Sequence, residues 1–231
     1  GVKSEDCLYM EVYAPENAEN APVMLWMHGG AAFLGAGHLG SYHGEANAAN
    51  GVITVSINYR LGPMGYFAHP ALTAEGGPTG DFAMMDAVAA LEWMQENISS
   101  FGGDPDNVTI AGQSAGGVMV INLLSIPSAE GLFDKAIVQS GAFVSPGRDL
   151  AAAEQLGVEG MATLDVPADA TADMLRSVSA QSLTYNPALR RGISGTIDGR
   201  FNTVSPRAAM DAGREADVPV LVGSNMGEGG F

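Results

Sequence analysis

The chain has 231 residues, 46% of them apolar, which is enough to bury the core of one α/β domain. Its 26 acidic residues outnumber 10 basic ones and give a formal charge of −16, which argues against nucleic acid or an anionic membrane as a partner. No apolar run approaches the roughly 18 residues of a transmembrane helix, so we expect no membrane span.

The first part of the chain contains strands and one long helix. An alternating pattern predicts a strand over residues 7–13, and continuous apolar runs predict buried strands over 22–27 and 52–59. A loop rich in glycine and proline follows and runs to Gly80. Residues 81–98 are predicted to form a helix whose Met and Trp residues pack in the core rather than against a cofactor.

The alternation continues in the second part. A β-branched run predicts a strand over 107–111, an apolar helix follows over 114–124, and another strand is predicted over 135–141. The section from about 146 to 200 is less regular. It holds a predicted helix at 170–183, and we interpret it as a cap inserted over one end of a sheet.

Near the end of the chain, Ser205 and Pro206 supply the cap and first turn of a predicted helix. Residues 218–223 form the last predicted strand, and 224–230 form the loop after it. Buried strands that alternate with helices, without an internal repeat, predict a single α/β fold over residues 1–231 with a mostly parallel sheet.

The sequence Gly-Gln-Ser-Ala-Gly at 112–116 lies between the predicted strand at 107–111 and the helix that follows. A serine in this position is exposed on a sharp, strained bend, and the flanking glycines leave room where strand and helix approach each other. The start of the helix directs free N–H groups towards an anion beside the Ser114 oxygen. We therefore interpret this segment as a nucleophile elbow.

Two more predicted strands end at polar or glycine-rich positions. His28, Gly29 and Gly30 follow the strand at 22–27. The two glycines provide oxyanion-hole N–H groups if their loop lies near Ser114, and form an ordinary turn if it does not. Glu228 follows the last strand. Because ligands bind at the carboxyl ends of strands in parallel sheets, one site can gather these residues.

Nine short segments, taken in order, resemble the type-B carboxylesterase family, an α/β-hydrolase group that contains carboxylesterases, cholinesterases and bacterial p-nitrobenzyl esterases. They include Ser-Glu-Asp-Cys-Leu-Tyr and Asn-Tyr-Arg-Leu-Gly, and they lie at residues 4–9, 28–30, 58–62, 95–98, 101–105, 107–110, 112–116, 198–199 and 223–229. The resemblance implies an α/β-hydrolase fold. It also implies hydrolysis of small-molecule carboxylic esters through an acyl-enzyme, without a cofactor or metal.

The resemblance also implies roles for individual residues. Ser114 would be the nucleophile, and Glu228 would orient and charge-stabilise a catalytic histidine. The backbone N–H groups of Gly29, Gly30 and Ala115 would hold the oxyanion. This agrees with the chemistry, because a serine hydroxyl is a poor nucleophile until an imidazole, fixed by a carboxylate, takes its proton. Methionine and small side chains suggest small or medium apolar esters.

The histidines depart from this pattern. In α/β-hydrolases the triad runs in the order serine, acid, histidine, but His28, His38, His43 and His69 all precede Ser114. His28 matches a structural histidine of the family's oxyanion loop. We therefore expect the chain to be a fragment, truncated at both ends, that lacks the catalytic histidine. A catalytic triad without its histidine loses on the order of a millionfold in turnover, so the fragment alone should be almost inactive.

Smaller departures concern single positions. Gln113 replaces the family's usual glutamate, which removes one reason to expect cationic choline esters. Asp81 and Ala83 stand where the family tends to have asparagine and glycine. Ala31 follows Gly30 at a position where the family frequently has a third glycine. We expect the only cysteine, Cys7, to be a buried thiol. It also matches a cysteine that forms a disulfide with an upstream partner in secreted animal members.

Two alternatives stay open at this point. Some relatives are adhesion proteins that use the fold to bind partners, although these usually lack the elbow serine, so Ser114 and Glu228 favour an enzyme. An amidase or a lactonase is the alternative among enzymes, because the elbow specifies acyl transfer but not the leaving group. No segment of the sequence indicates a cellular compartment.

Overall fold

A computed structural model describes residues 4–192 and 195–228. The predicted loop at 224–230 is described as far as Glu228, so Gly229 and Gly230 lie outside the described residues. The strands are β1 (Met10–Tyr13), β2 (Ala21–Met27), β3 (Ile53–Ile57), β4 (Gly103–Gln113), β5 (Lys135–Gln139), β6 (Arg148–Asp149), β7 (Thr196–Ile197) and β8 (Val220–Gly223).

The helices connect these strands. They are α1 (Glu45–Ala48), α2 (Pro63–Tyr66), α3 (Pro70–Thr73), α4 (Phe82–Asn97), α5 (Ala115–Leu123), α6 (Leu150–Ala162), α7 (Ala172–Ser177), α8 (Ala180–Tyr185) and α9 (Pro206–Asp211). Short 3-10 segments lie at Gly40–Tyr42, Ile98–Phe101, Pro127–Ala129 and Leu189–Gly192. None of the described helices is both long and apolar enough to cross a membrane.

Six strands form the main sheet, in the order β1-β3-β2-β4-β5-β8. β1 is antiparallel to β3, and every other neighbouring pair is parallel, which confirms the predicted mostly parallel sheet. The register aligns Met27 with Gly112, Gly112 with Val138, and Gln139 with Gly223. The carboxyl ends of β2, β4, β5 and β8 therefore lie side by side at one edge.

The core fills the space between the sheet and its helices. All five residues of β3 are buried, as expected for a strand covered on both faces. On α4, Met84, Leu91 and Met94 are buried as the sequence predicts, and each such side chain contributes about 1.5–3 kcal/mol relative to exposure. Trp93 is only partly buried, and it packs against the edge of the core.

The cap-like section differs from the prediction. α6 is a 13-residue helix that the sequence analysis missed, and Asp149 caps it by accepting a hydrogen bond from the Ala152 N–H. The single helix predicted at 170–183 is instead two helices, α7 and α8, because Val178 is extended and Ser179 starts α8 as its N-cap. Met161, Leu175 and Leu189 belong to a second small core in this section.

The remaining differences are at element ends. The loop predicted before Gly80 contains α2 and α3, each a single turn that begins with a proline. β4 begins at Gly103, earlier than the predicted strand. The helix capped by Ser205 is present as α9, and the Ser205 hydroxyl accepts a hydrogen bond from the Ala208 N–H.

Candidate active site

Ser114 occupies the sharp turn between β4 and α5. Its φ of 54° and ψ of −119° lie outside the regions that residues with a side chain normally adopt. Such a conformation costs of order 1–3 kcal/mol and persists only where neighbouring contacts enforce it. One such contact is the hydrogen bond from the Ser114 N–H to the carbonyl oxygen of Gln139 on β5, at 2.8 Å.

Close backbone packing supplies the rest of the constraint. A Cβ added to Gly116 would lie 2.0 Å from the carbonyl oxygen of Met27, at the end of β2. A Cβ on Gly112 would lie 2.4 Å from the carbonyl group of Gly116, and a Cβ on Gly141 would lie 2.6 Å from the Ser114 carbonyl oxygen. Only glycine fits at these positions, so α5 starts directly against the ends of β2 and β5.

The loop after β2 lies against this turn. A Cβ added to Gly29 would be 3.2 Å from the Cβ of Ser114. The loop turns back at Gly30, whose φ is 117° and whose carbonyl oxygen accepts hydrogen bonds from the N–H groups of Phe33 and Leu34. Of the two alternatives for this loop, the structure therefore shows the one in which it lies beside Ser114.

Backbone N–H groups around the turn have no acceptor among the described residues. Those of Gly29, Gly30 and Ala115 donate no hydrogen bond to any residue that the structure describes. Ala115 is the first residue of α5, where N–H groups have no partner within the helix. The positive end of the helix dipole is also located there, so this position favours an anion.

His28 holds the loop rather than facing the serine. Its ring is buried and stacks on Tyr59, with ring centroids 4.5 Å apart. The ring Nδ1 donates to the Gly29 carbonyl oxygen at 2.7 Å, and the Tyr59 hydroxyl donates to the His28 carbonyl oxygen at 2.7 Å. Burial lowers the pKa of His28, so its ring stays neutral and acts as a structural support.

Glu228 lies past the end of β8 and is held by several donors. Its Oε1 accepts hydrogen bonds from the Ser140 hydroxyl at 2.8 Å and the Asn225 side-chain amide at 3.0 Å, and its Oε2 accepts from the Asn225 N–H at 3.1 Å. The Ser140 hydroxyl, followed by the Asn225 donors, lowers the pKa of Glu228 below its ordinary value. Glu228 is therefore ionised and oriented.

Ser140 was not identified from the sequence. It follows β5 directly, has a φ of 50°, and its N–H donates to the Gly223 carbonyl oxygen at 2.7 Å. In the structure Ser140 lies just past a strand end, as does Ser114. The sequence analysis extended this strand to residue 141, so Ser140 fell inside the predicted strand and the position of strand ends could not identify it.

The structure describes all four histidines, and none of them hydrogen-bonds Ser114 or Glu228. His43 pairs with Glu45 at 3.5 Å on an accessible surface, and His38 is exposed. His69 caps α3 through its Nδ1, which accepts from the Ala71 N–H. Within the described ranges there is also no group of three or more histidine, cysteine or acidic side chains that could hold a metal.

Comparison with known proteins gives one consistent result. A model of the carboxylesterase family matches residues 1–231. The para-nitrobenzyl esterase of Bacillus subtilis is 41% identical over 98% of this chain and 48% of its own length. The human cocaine esterase is 38% identical over 99% of this chain and 41% of its own length.

Structural comparison agrees. A solved para-nitrobenzyl esterase superimposes with a TM-score of 0.86 at 37% identity, over 96% of this chain and 49% of that one. A thermophilic para-nitrobenzyl esterase gives a TM-score of 0.87 at 37% identity, over 96% of this chain and 48% of that one. The chain thus spans about half the length of the relatives it matches.

The packing of Gly116 gives a prediction about stability. Gly116→Ala places a methyl group 2.0 Å from a backbone oxygen that cannot rotate away. We expect a loss of about 1–3 kcal/mol in the free energy of unfolding, as for other overpacked sites, and a correspondingly lower Tm in thermal unfolding. The control is Gly77→Ala, because a Cβ on Gly77 meets nothing within 4 Å. Equal Tm values for the two variants would contradict the packing argument.

Proposed function

The chain belongs to the carboxylesterase family and has an α/β-hydrolase fold, and we propose that the full-length protein containing it hydrolyses carboxylic esters through an acyl-enzyme on Ser114. The main support is the elbow itself. It combines a serine in a strained backbone conformation with three N–H groups that have no acceptor among the described residues.

In the proposed first step, the Ser114 oxygen attacks the carbonyl carbon of the ester while a base removes the hydroxyl proton. Ser114 is partly exposed, and in the described chain its hydroxyl makes no hydrogen bond that would have to be broken first. The alcohol leaves with the proton that the base carries, and water then hydrolyses the acyl-enzyme by the same route.

The oxyanion formed in each step needs fixed donors. We assign this role to the N–H groups of Gly29, Gly30 and Ala115. Gly29 lies against Ser114, and Ala115 starts α5, so the donors are backbone groups that do not have to reorganise during the reaction. Loss of one such donor typically lowers the rate by roughly a hundredfold or more.

We propose that the base is a histidine from outside residues 1–231. None of the four histidines of this chain hydrogen-bonds Ser114 or Glu228, while Glu228 is already ionised and oriented. Ser114 follows β4 and Glu228 follows β8, with β5 between them. The hydrogen-bond partner of Glu228, Ser140, follows β5, the strand next to β4, so the carboxylate is anchored beside the strand that carries Ser114.

Exposed apolar side chains in the loops that follow three of the parallel strands support apolar ester substrates, which we propose to be of small or medium size. Leu34, Phe143 and Met226 follow β2, β5 and β8 respectively, and their side chains are largely exposed. Gln113 adds no charge beside Ser114. The relatives are named for para-nitrobenzyl, cocaine and fumonisin esters, which differ widely, so family membership alone does not specify the substrate.

The assignment of Ser114 is tested on the full-length protein with p-nitrophenyl butyrate and a fluorophosphonate probe. We expect hydrolysis and a single covalent adduct at Ser114 by peptide mass spectrometry. Ser114→Ala should lower kcat to background, a loss on the order of a millionfold by the precedent of serine proteases. A protein without an adduct at Ser114 would be a binding protein of this fold. Faster cleavage of the matching p-nitroanilide would indicate an amidase.

The support for Glu228 is tested with Ser140→Ala in the same protein. Loss of this hydrogen bond should lower kcat roughly tenfold, the effect of about 1.4 kcal/mol. Because the Ser140 hydroxyl stabilises the charged carboxylate, its removal raises the pKa of Glu228. The acid limb of the kcat profile should therefore move to higher pH.

The matched control is Ser177→Ala, which removes an exposed hydroxyl that bonds only the Met174 carbonyl oxygen of its own helix. Its rate and pH profile should equal those of the parent protein. An unchanged pH profile in Ser140→Ala would contradict the assignment of Ser140 as a positioning residue.

A further inference from the structure

A buried polar cluster lies where the start of α4 meets residues 195–202, which we name the returning arm because they lead back from the cap-like section. The cluster contains Thr79, Asp81, Thr196 and Asn202, whose exposed fractions are 1%, 1%, 0% and 2%. It is separate from the site around Ser114. A Cβ added to Gly80 would lie 2.8 Å from the Thr196 hydroxyl oxygen, so the arm packs directly on this turn.

Asp81 is the centre of the cluster. Its Oδ2 accepts hydrogen bonds from the Thr196 N–H and from the Asn202 side-chain amide, each at 3.1 Å. Its Oδ1 is buried and has no partner among the described residues. The same holds for the Asn202 Oδ1 and for the hydroxyl oxygens of Thr79 and Thr196. Buried polar atoms without partners are rare in native proteins, so four in one cluster require an explanation.

No positive charge in the described chain compensates Asp81. On the returning arm, Asp198 is a further acid, and its Oδ2 accepts from the Thr79 N–H at 3.3 Å. The guanidinium of Arg200 turns away to the Gly77 carbonyl oxygen. On α2, burial raises the pKa of the Tyr66 phenol well above its usual range, so it stays neutral. On α5, Asn122 faces the arm at Gly195 and is also neutral.

An ionised Asp81 would therefore be a buried charge with no ionic partner among the described residues, which is strongly unfavourable. Burial is the largest cause that raises the pKa of Asp81, and the neighbouring Asp198 adds to it. The hydrogen bonds from Asn202 and Thr196 oppose these effects, and the result is a pKa of about 7. A proton on Oδ1 removes the charge and turns an unpartnered acceptor into a donor.

We propose that Asp81 is a neutral carboxylic acid in mildly acidic solution and that its Oδ1–H donates to one of the unpartnered oxygens, closing a clasp that holds the returning arm on α4. The proton comes from solvent, so no other group changes its state. A Cβ added to Gly195 of the arm would lie 3.2 Å from the side-chain oxygen of Asn122 on α5, the helix that starts beside Ser114. The clasp therefore makes the packing of the cap-like section on the sheet dependent on pH.

The direction of this dependence follows from the two protonation states. When the arm opens, Asp81 returns to water and to its ordinary pKa of 3.8, whereas in the closed clasp the pKa is about 7. The stabilisation is complete below the ordinary value, is lost progressively as the pH rises from about 4 to about 7, and does not change further above that. Within this window the opening equilibrium should increase about tenfold per pH unit.

The experiment is hydrogen exchange of the Thr196 amide in the full-length protein, followed from pH 5 to 8 and corrected for the intrinsic rate. We expect its protection to fall about tenfold per pH unit up to pH 7 and then to level off. In Asp81→Asn, which has the same shape and can still accept from the Thr196 N–H, the protection should be independent of pH. Asp149→Asn, at the exposed cap of α6, should behave like the parent protein.

Three outcomes would overturn the proposal. One is a Thr196 protection that does not change with pH in the parent protein. Another is an equal pH dependence in Asp81→Asn. The third is protection at pH 8 that is restored by sodium or potassium chloride but not by choline chloride, because a bound cation rather than a proton would then neutralise Asp81. Since exchange is measured without substrate, none of these outcomes depends on the proposed esterase activity.

Discussion

The close approach of α5 to the ends of β2 and β5 is the constraint on which the candidate site depends. Gly116 brings the helix start against the Met27 carbonyl oxygen, and Gly141 brings β5 against the Ser114 carbonyl oxygen. With the hydrogen bond from Ser114 to Gln139, these contacts fix a backbone conformation that an isolated chain would avoid. The strain is offset by these contacts, which depend on the packing of the parallel sheet.

The same sheet positions the other parts of the site. Because β2, β4, β5 and β8 run in parallel and in register, whatever follows each strand arrives at one edge. Gly29, Ser114 and Ser140 each lie within two residues of a strand end, and Glu228 lies five residues past β8. Polar groups there need only short loops, and the backbone that carries them is rigid, which suits preorganised catalysis.

Much of this arrangement could be predicted from the sequence. β-branched runs and Gly-x-Ser-x-Gly indicated the strands and the elbow, because these signals are local and have direct steric causes. α6 was missed because it is rich in alanine and glycine, as at Ala153 and Gly157, and shows no broad apolar stripe. The break between α7 and α8 depends on the capping of one serine, Ser179, which a search for apolar periodicity does not detect.

The contacts that could not be predicted join residues far apart in the chain. Ser140 and Glu228 are 88 positions apart, and Asp81 meets Asn202 across 121 positions. No local pattern encodes such pairs, since each partner alone is an ordinary polar residue. Asp81 stood out only as a departure from the family's usual asparagine, and its burial among unpartnered oxygens gives that departure a physical meaning.

The most direct test of the proposed site is a crystal structure of the full-length protein after reaction with a fluorophosphonate. We expect the phosphorus on the Ser114 oxygen and the phosphoryl oxygen within about 3 Å of the backbone nitrogens of Gly29, Gly30 and Ala115. A histidine from outside residues 1–231 should lie between Ser114 and Glu228. A phosphoryl oxygen directed into solvent, or a base supplied by His28, His38, His43 or His69, would contradict the account.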